Sequence, residues 1–287
     1  MVRAFDGRLV RKAQDAWDDE DWPRAARLLE ELLARDPDGE QAPARWYDAA
    51  LAYKFMRDWP RAYELGKQAA ARAPRGRQDP AFWNLGIAAT VQGDWATARD
   101  AWAGYGIDLP PGDGEIEENL GMTCVRLDPE GEVEIVWALR ICPTRARVLS
   151  VPFNTARRYG EIVVHDGVPN GERVVDGHRF PVFDELLCWK ASDLPTLSVT
   201  VSTPDTAGID ELVVLFDSRG FGAEPSSSLQ FLCKCCSDGS VEQTRSVRAG
   251  GQTVWLAAPE GEARRLLDDW AGDAGYERSW ANLHPVS

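Results

Sequence analysis

The chain has 287 residues, of which 44% are hydrophobic and 27% charged, and its formal net charge at pH 7 is −14. It contains no run approaching the roughly 18 apolar residues of a transmembrane helix, and residues 1–6 lack the apolar stretch of a secretion signal. These two features predict a cytoplasmic protein that does not bind membranes. Because acidic chains repel phosphate backbones, we also expect no binding to nucleic acid.

The first 110 residues repeat one short phrase three times. It reads DWPRA at 21–25 and 58–62 and DWATA at 94–98, so successive copies begin 37 and then 36 residues apart. Around each copy, apolar residues recur at helical spacing. A fixed period of this length is typical of stacked supersecondary units. We therefore predict three pairs of helices.

The residues around the phrases resemble the tetratricopeptide repeat (TPR), whose signature combines aromatic, Leu-Gly, Tyr, small and closing Pro positions. The third copy matches it at Phe82, Leu85, Gly86, Ala98, Trp102 and Pro110. The second keeps Trp46, Tyr53, Ala62, Ala69 and Pro74 but has Ala49-Ala50 in place of Leu-Gly, and the first keeps Ala13, Ala25 and Pro37. The resemblance covers residues 1–110 and implies a concave, protein-binding groove.

In the TPR family the first helix of each pair lines this groove. Carried over, the groove residues are Trp17, Tyr47, Leu51, Lys54, Phe55, Trp83, Ile87 and Val91. Lys54 is the one cation among them, so a clamp for a C-terminal carboxylate is not expected. An apolar, aromatic groove suits an amphipathic helix or an apolar extended segment of a partner protein. The alternative is that the chain's own residues fill the groove.

A boundary follows at 110–114, where Pro-Pro-Gly-Asp-Gly is typical of a loop. Residues 111–121 are predicted to be a linker or a solitary capping helix over 115–120. Residues 1–110 carry 16 basic and 18 acidic residues, and residues 111–287 carry 16 and 28, so nearly all of the net charge lies in the second part. We predict an acidic α+β domain over 122–287, which could attract a basic protein.

Within that domain, 122–190 is predicted to be a strand meander and 194–284 a ferredoxin-like unit. The meander is indicated by β-branched runs at 132–141, 147–152 and 161–165 with turn residues between them. The second pattern is strand, helix, strand, strand, helix, strand. Its elements are predicted at 197–201, 205–216, 229–235, 253–257, 259–270 and 276–282.

Two groups of residues invite a chemical interpretation. Cys233, Cys235 and Cys236 are weak metal candidates, because zinc sites usually need a second paired motif and the chain has none. Reduced, buried thiols explain them better, and no cofactor is expected. A second group lies in and around a predicted hairpin: His165, Asp166, Glu172, Asp176 and His178. These residues could form an acid–base or metal site. Turn-forming aspartates and exposed histidines would explain them as well.

These patterns favour a non-enzymatic scaffold or adaptor, with a TPR stack and an acidic second binding domain. A narrower hypothesis is a bacterial immunity-type inhibitor that neutralises a basic effector. The alternative comes from another class of protein: the C-terminal part would be an enzyme or a small-ligand or metal-binding domain, and the TPR stack would target it. In that case His165, His178 and the cysteine cluster would be the residues to examine.

Overall fold

The computed structural model describes residues 2–131, 133–175, 177–226, 240–242, 251–273 and 277–286. The chain divides into two compact units, Met1–Ile116 and Glu117–Ser287. The first unit is helical and the second is rich in strands, so the protein has a helical region followed by an α+β region, as predicted.

Six helices form the first unit, and each packs against the next along the chain. They are α1 (Val2–Asp18), α2 (Trp22–Arg35), α3 (Ala42–Phe55), α4 (Trp59–Ala70), α5 (Pro80–Gln92) and α6 (Trp95–Tyr105). α3 also contacts α5, so the first helices of consecutive pairs are neighbours. This is the arrangement of a helical repeat, and it confirms the three predicted helix pairs.

The turn within each helix pair is built in the same way three times. Glu20, Arg57 and Gly93 adopt left-handed backbone conformations, with φ of 55°, 58° and 72°. The aspartate after each of them caps the following helix, because its carboxylate accepts a hydrogen bond from the backbone N–H three residues later. Such a cap satisfies a donor that has no partner within the helix. The repeated Asp-Trp phrase therefore marks the start of the second helix in every pair.

Glycines allow the third pair of helices to approach closely. A Cβ atom on Gly86 of α5 would lie 2.5 Å from the ring of Trp102 on α6. A Cβ atom on Gly104 of α6 would lie 2.4 Å from the ring of Phe82 on α5. Both aromatic side chains are buried. Only glycine leaves room at these two crossings, which explains the Leu85-Gly86 pair in the sequence.

The segment 111–121 was predicted to be a linker or a capping helix, and since residues 115–120 form no helix, the second alternative is wrong. Instead, the backbone N–H groups of Glu118 and Leu120 donate to the carbonyls of Ile141 and Arg140, over 2.8 and 2.9 Å. The segment is thereby held against a strand. Its acidic and apolar residues have helical spacing, but pairing with a strand edge satisfies the same backbone groups.

The second unit begins with five strands whose pairings close into a ring. They are β1 (Met122–Leu127), β2 (Glu134–Cys142), β3 (Arg145–Val148), β4 (Ile162–Val175) and β5 (His178–Lys190). Consecutive strands pair antiparallel, and β5 returns to pair parallel with β1. A closed ring has no free edge. Its buried core is Val125, Leu127, Val136, Ala138, Ala146, Val148 and Val163.

A four-stranded antiparallel sheet with two helices completes the unit. Its elements are β6 (Thr196–Ser202), α7 (Ala207–Asp217), β7 (Gly222–Pro225), β9 (Gln252–Ala257), α8 (Glu260–Asp273) and β10 (Ser279–Pro285). The strand order β10-β6-β9-β7 is that of the predicted ferredoxin-like unit. The second strand of the unit in chain order is β7, and the predicted strand at 229–235 lies outside the described residues. A further strand, β8 (Ser240–Glu242), pairs parallel with β4.

Both faces of this sheet have packing partners. On one face, α7 and α8 enclose a core that contains Leu212, Phe216 and Leu266, and the indole of Trp270 donates to the Gly208 carbonyl over 2.8 Å. On the other face, Ala257 packs with Val151 and Tyr159 from the loop that follows β3. Among the described residues, no helix is long and apolar enough to cross a membrane.

Candidate functional site

Three aromatic side chains from different helices form a partly exposed cluster, here called the aromatic patch. It consists of Trp17 at the end of α1, Trp22 at the start of α2 and Phe55 at the end of α3. The rings of Trp22 and Phe55 are 4.5 Å apart between centroids, and those of Trp17 and Trp22 are 5.2 Å apart. Phe55 is 45% exposed, whereas both tryptophans are half-buried and Trp17 packs against the core of the first helices, so the cluster lies at the edge of that core and presents the Phe55 ring to solvent.

The sequence predicted two members of the patch, Trp17 and Phe55, as groove residues. The third, Trp22, belongs to the repeated phrase at 21–25 and was not among the predicted groove residues. It reaches the other two because the left-handed residue Glu20 and the cap Asp21 turn the chain back over the end of α1. The Asp-Trp phrase was therefore the signal, but only the folded turn shows which way its indole faces.

The predicted groove residues in the middle of the stack are less accessible. Tyr47 and Leu51 are half-buried, whereas Lys54 is buried and its ammonium group donates to the side-chain oxygen of Asn84 over 3.2 Å. Lys54 therefore links α3 to α5 at this point. Its position explains how a lysine can sit on a helix face that is otherwise apolar.

The predicted residues on α5 lie in well-packed surroundings. Trp83 is half-buried and stacks edge-on against Trp102 and Tyr105, with centroid distances of 5.2 and 4.9 Å. Ile87 is fully buried and Val91 is half-buried. The eight predicted residues are thus not equally available, and the greatest aromatic exposure lies in the aromatic patch.

Polar side-chain contacts also bridge consecutive helix pairs. Arg61 of the second pair donates to Glu30 of the first over 2.9 Å, and the Tyr63 hydroxyl donates to Asp94 of the third over 2.6 Å. The hydrogen bond from Tyr63 keeps the pKa of Asp94 below its usual value. Since each contact bridges consecutive pairs, the three pairs are held in one stack.

The second unit contains a buried histidine, His165, at the position that sequence analysis singled out. Its Nδ1 lies 2.7 Å from the Asp166 carbonyl oxygen, and its ring stacks on Phe183 at 4.7 Å. Burial lowers the pKa of His165 to about 4, so the imidazole is neutral at pH 7. Phe183 also lies under the guanidinium of Arg140, 5.5 Å from the ring centroid.

The other members of the suspected acid–base group lie elsewhere on the β4–β5 hairpin. His165 is opposite Glu185, whereas His178 is exposed and pairs with Val175 at the far end. Glu172 forms an ion pair with Arg179 rather than approaching His165. Asp176 lies outside the described residues. The structure therefore does not bring His165 and His178 into one site.

A buried ion cluster that the sequence did not reveal lies in the same ring of strands. The guanidinium of Arg157 donates to Glu161 over 2.8 Å and to Glu185 over 2.7 Å. Burial lowers the pKa of Arg157, but the hydrogen bonds to Glu185 and Glu161 outweigh it and raise the pKa overall. The backbone N–H of Asp128 also donates to Glu185. With both carboxylates occupied, the cluster joins the loop before β4 to β5.

The described cysteines are free thiols in ordinary structural positions. Cys124 and Cys142 are buried and Cys188 is exposed. Burial raises the pKa of Cys124 to about 12 and also raises that of Cys188, so both are protonated at pH 7. Cys233, Cys235 and Cys236 lie outside the described residues. Within the part of the chain that the structure describes, no three His, Cys, Asp or Glu side chains are grouped to hold a metal ion.

Comparison with known proteins matches this chain to no family model and to no curated protein.

Proposed function

We propose that this protein is a non-enzymatic adaptor whose helical unit, a TPR-type stack, binds a segment of a partner protein. The observation that carries the proposal is the aromatic patch, where Trp17, Trp22 and Phe55 meet and Phe55 stays 45% exposed. Partly exposed aromatic side chains on a rigid scaffold are the usual anchors of protein interfaces. An amphipathic helix or an apolar segment is the partner element that such a surface fits.

The second unit would supply a further contact surface. Residues 111–287 carry 16 basic and 28 acidic residues, a charge that favours encounter with a basic protein. A narrower form of the proposal is that the pair of units neutralises a basic effector, as an immunity protein does. We place the protein in the cytoplasm, because Cys124, Cys142 and Cys188 are unpaired and a reducing compartment keeps thiols in that state.

An enzyme or metal-binding function of the second unit has less support from the geometry. His165 is buried and neutral, and His178 lies at the opposite end of the hairpin. A general acid or base must reach its substrate within hydrogen-bond distance. The inhibitor and adaptor forms of the proposal need no such site.

The test is affinity capture from a lysate of the source cell with three purified baits. They are the intact chain, Phe55→Ser, and the control Val214→Ser, which removes an apolar side chain that is 65% exposed on α7. We expect one partner to be captured by the intact chain and by the control and lost with Phe55→Ser. Titration calorimetry with the purified partner should then show affinity weakened about tenfold or more by Phe55→Ser.

Equal capture by all three baits would contradict the proposal that the patch binds the partner. For the narrower hypothesis, the captured protein is assayed for its own activity with and without the intact chain. A tight complex in which the partner remains fully active would remove the inhibitor hypothesis and leave the adaptor.

A further inference from the structure

An exposed acidic segment of the chain carries Trp17 and directly precedes Trp22 of the aromatic patch. Between Lys12 and Arg24 the chain has five acidic residues and no basic one, and all five are exposed. Two of the patch residues, Trp17 and Trp22, lie within or directly after this segment. The five residues, here called the acidic rim, are Asp15, Asp18, Asp19, Glu20 and Asp21.

The acidic rim is not neutralised by the described part of the protein. Asp18 accepts a hydrogen bond from the neutral Gln14 amide over 2.7 Å, and Asp21 accepts one from the Arg24 backbone N–H. In the described ranges, none of the five carboxylates forms an ion pair. After Phe55 in the chain, Arg57 and Asp58 carry opposite charges. The segment that carries Trp17 and leads into Trp22 is therefore negative, without an ion pair from the described residues to offset it.

The rings of the patch are also unoccupied by cations of the described chain. Elsewhere in the helical unit, Lys67 lies 4.5 Å from the ring centroid of Tyr63, and Arg72 lies 5.3 Å from that of Trp46. Among the described residues, no lysine or arginine lies over the rings of Trp17, Trp22 or Phe55. Tryptophan is the best aromatic acceptor for a cation.

We infer that the aromatic patch binds a cationic amphipathic segment of a partner protein. Apolar side chains of that segment would pack on Phe55 and Trp22, and its lysine or arginine side chains would face the acidic rim and the Trp17 ring. This inference rests on the proposed function and adds the charge of the partner. The net charge of the two parts of the chain suggests that a basic partner would bind the more acidic second unit. The inference instead places a binding site for a basic segment on the helical unit, whose net charge is nearly zero.

The test uses two labelled helical peptides of about 18 residues, long enough to be helical. One has leucines on one face of the helix and lysines on the opposite face. The other has glutamate in place of every lysine. Binding to the full-length protein is measured by fluorescence anisotropy. We expect the Leu/Lys peptide to bind and the Leu/Glu peptide not to bind, and we expect binding to weaken severalfold between about 0.05 and about 0.3 M salt.

Two changes locate the site. Phe55→Ser should weaken binding of the Leu/Lys peptide about tenfold. Removing three charges of the rim, while leaving the helix cap Asp21 in place, should weaken it about fivefold. The rim variant is Asp18→Asn/Asp19→Asn/Glu20→Gln. Its control removes the same charge from exposed positions elsewhere and should bind as the intact protein does: Asp108→Asn/Asp113→Asn/Glu130→Gln.

The inference is overturned if neither peptide binds, if the two peptides bind equally, or if the rim variant and its control have the same affinity. These results differ from a failure of the proposed function. If the natural partner is lost with Phe55→Ser but binds the rim variant normally, the adaptor proposal is supported. The inference that the partner segment is cationic is then refuted. Circular dichroism of each variant checks that its helices are intact.

Discussion

The close approach of α5 and α6 allows a matched pair of glycine substitutions with opposite expected effects. In Gly86→Ala the new Cβ atom would lie 2.5–2.6 Å from three atoms of the Trp102 ring, which is fully buried and packed against Trp83. Overpacking of this kind costs about 1–3 kcal/mol. Alanine has a higher helix propensity than glycine, which offsets about 1 kcal/mol of this cost. We therefore expect a net loss of up to about 2 kcal/mol in the free energy of unfolding.

The control is Gly66→Ala on α4, where the nearest atom to the new Cβ is the Leu85 Cα at 3.6 Å. That is an ordinary contact, so only the propensity gain remains and stability should rise by about 0.5–1 kcal/mol. Urea unfolding of the full chain, followed by circular dichroism at a helical wavelength, measures both. If Gly86→Ala is as stable as Gly66→Ala, the close packing of Trp102 on α5 is refuted.

Three further measurements address the repeat turns and the buried histidine. Arg57→Gly should raise stability by about 0.5–1 kcal/mol, because its left-handed conformation is costly for all residues but glycine and Gly93 already occupies the same turn position in the third pair; no gain in urea unfolding would contradict this. Asp94→Ala should cost about 1–2 kcal/mol, since both the helix cap and the Tyr63 hydrogen bond are lost, and a neutral result would exclude those bonds as stabilising. The pKa of His165 is about 4 when folded and near 6.5 as a free side chain, so the unfolded chain binds the extra proton and stability should fall as the pH drops from about 6.5 to about 4, by about 3 kcal/mol at most. His165→Gln should flatten this part of the pH profile, and an unchanged slope would show that another group is responsible.

Several features of the fold follow from local sequence alone. The Asp-Trp phrases predicted three helix pairs through their fixed period and the helical spacing of the apolar residues around them. In the structure each phrase combines a helix cap with the first turn of a helix, and both act over only four residues. Likewise, apolar spacing predicted α7 and α8, and the strand pattern predicted β6, β9 and β10. Each of these elements is specified by the pattern of apolar residues a few positions apart, and a single sequence shows that pattern directly.

Other features depend on contacts between distant residues. The segment 115–120 has helical spacing, but it bonds to the backbone of β2 instead. Closure of β1–β5 into a ring depends on the parallel pairing of Arg126 with Asp184, 58 positions apart. No local pattern specifies such a pair, because register is selected by which side chains become buried together.

The candidate site shows the same division. The sequence by itself determined that residues 1–110 form a helical repeat with aromatic residues at regular positions, and that acidic residues surround Trp17 and Trp22. Only the tertiary structure decided which aromatics meet, that Phe55 stays exposed while Ile87 is buried, and that His165 and His178 are separated. The physical reason is that exposure and proximity arise from the packing of whole elements, whereas helix caps and charge are properties of the chain itself.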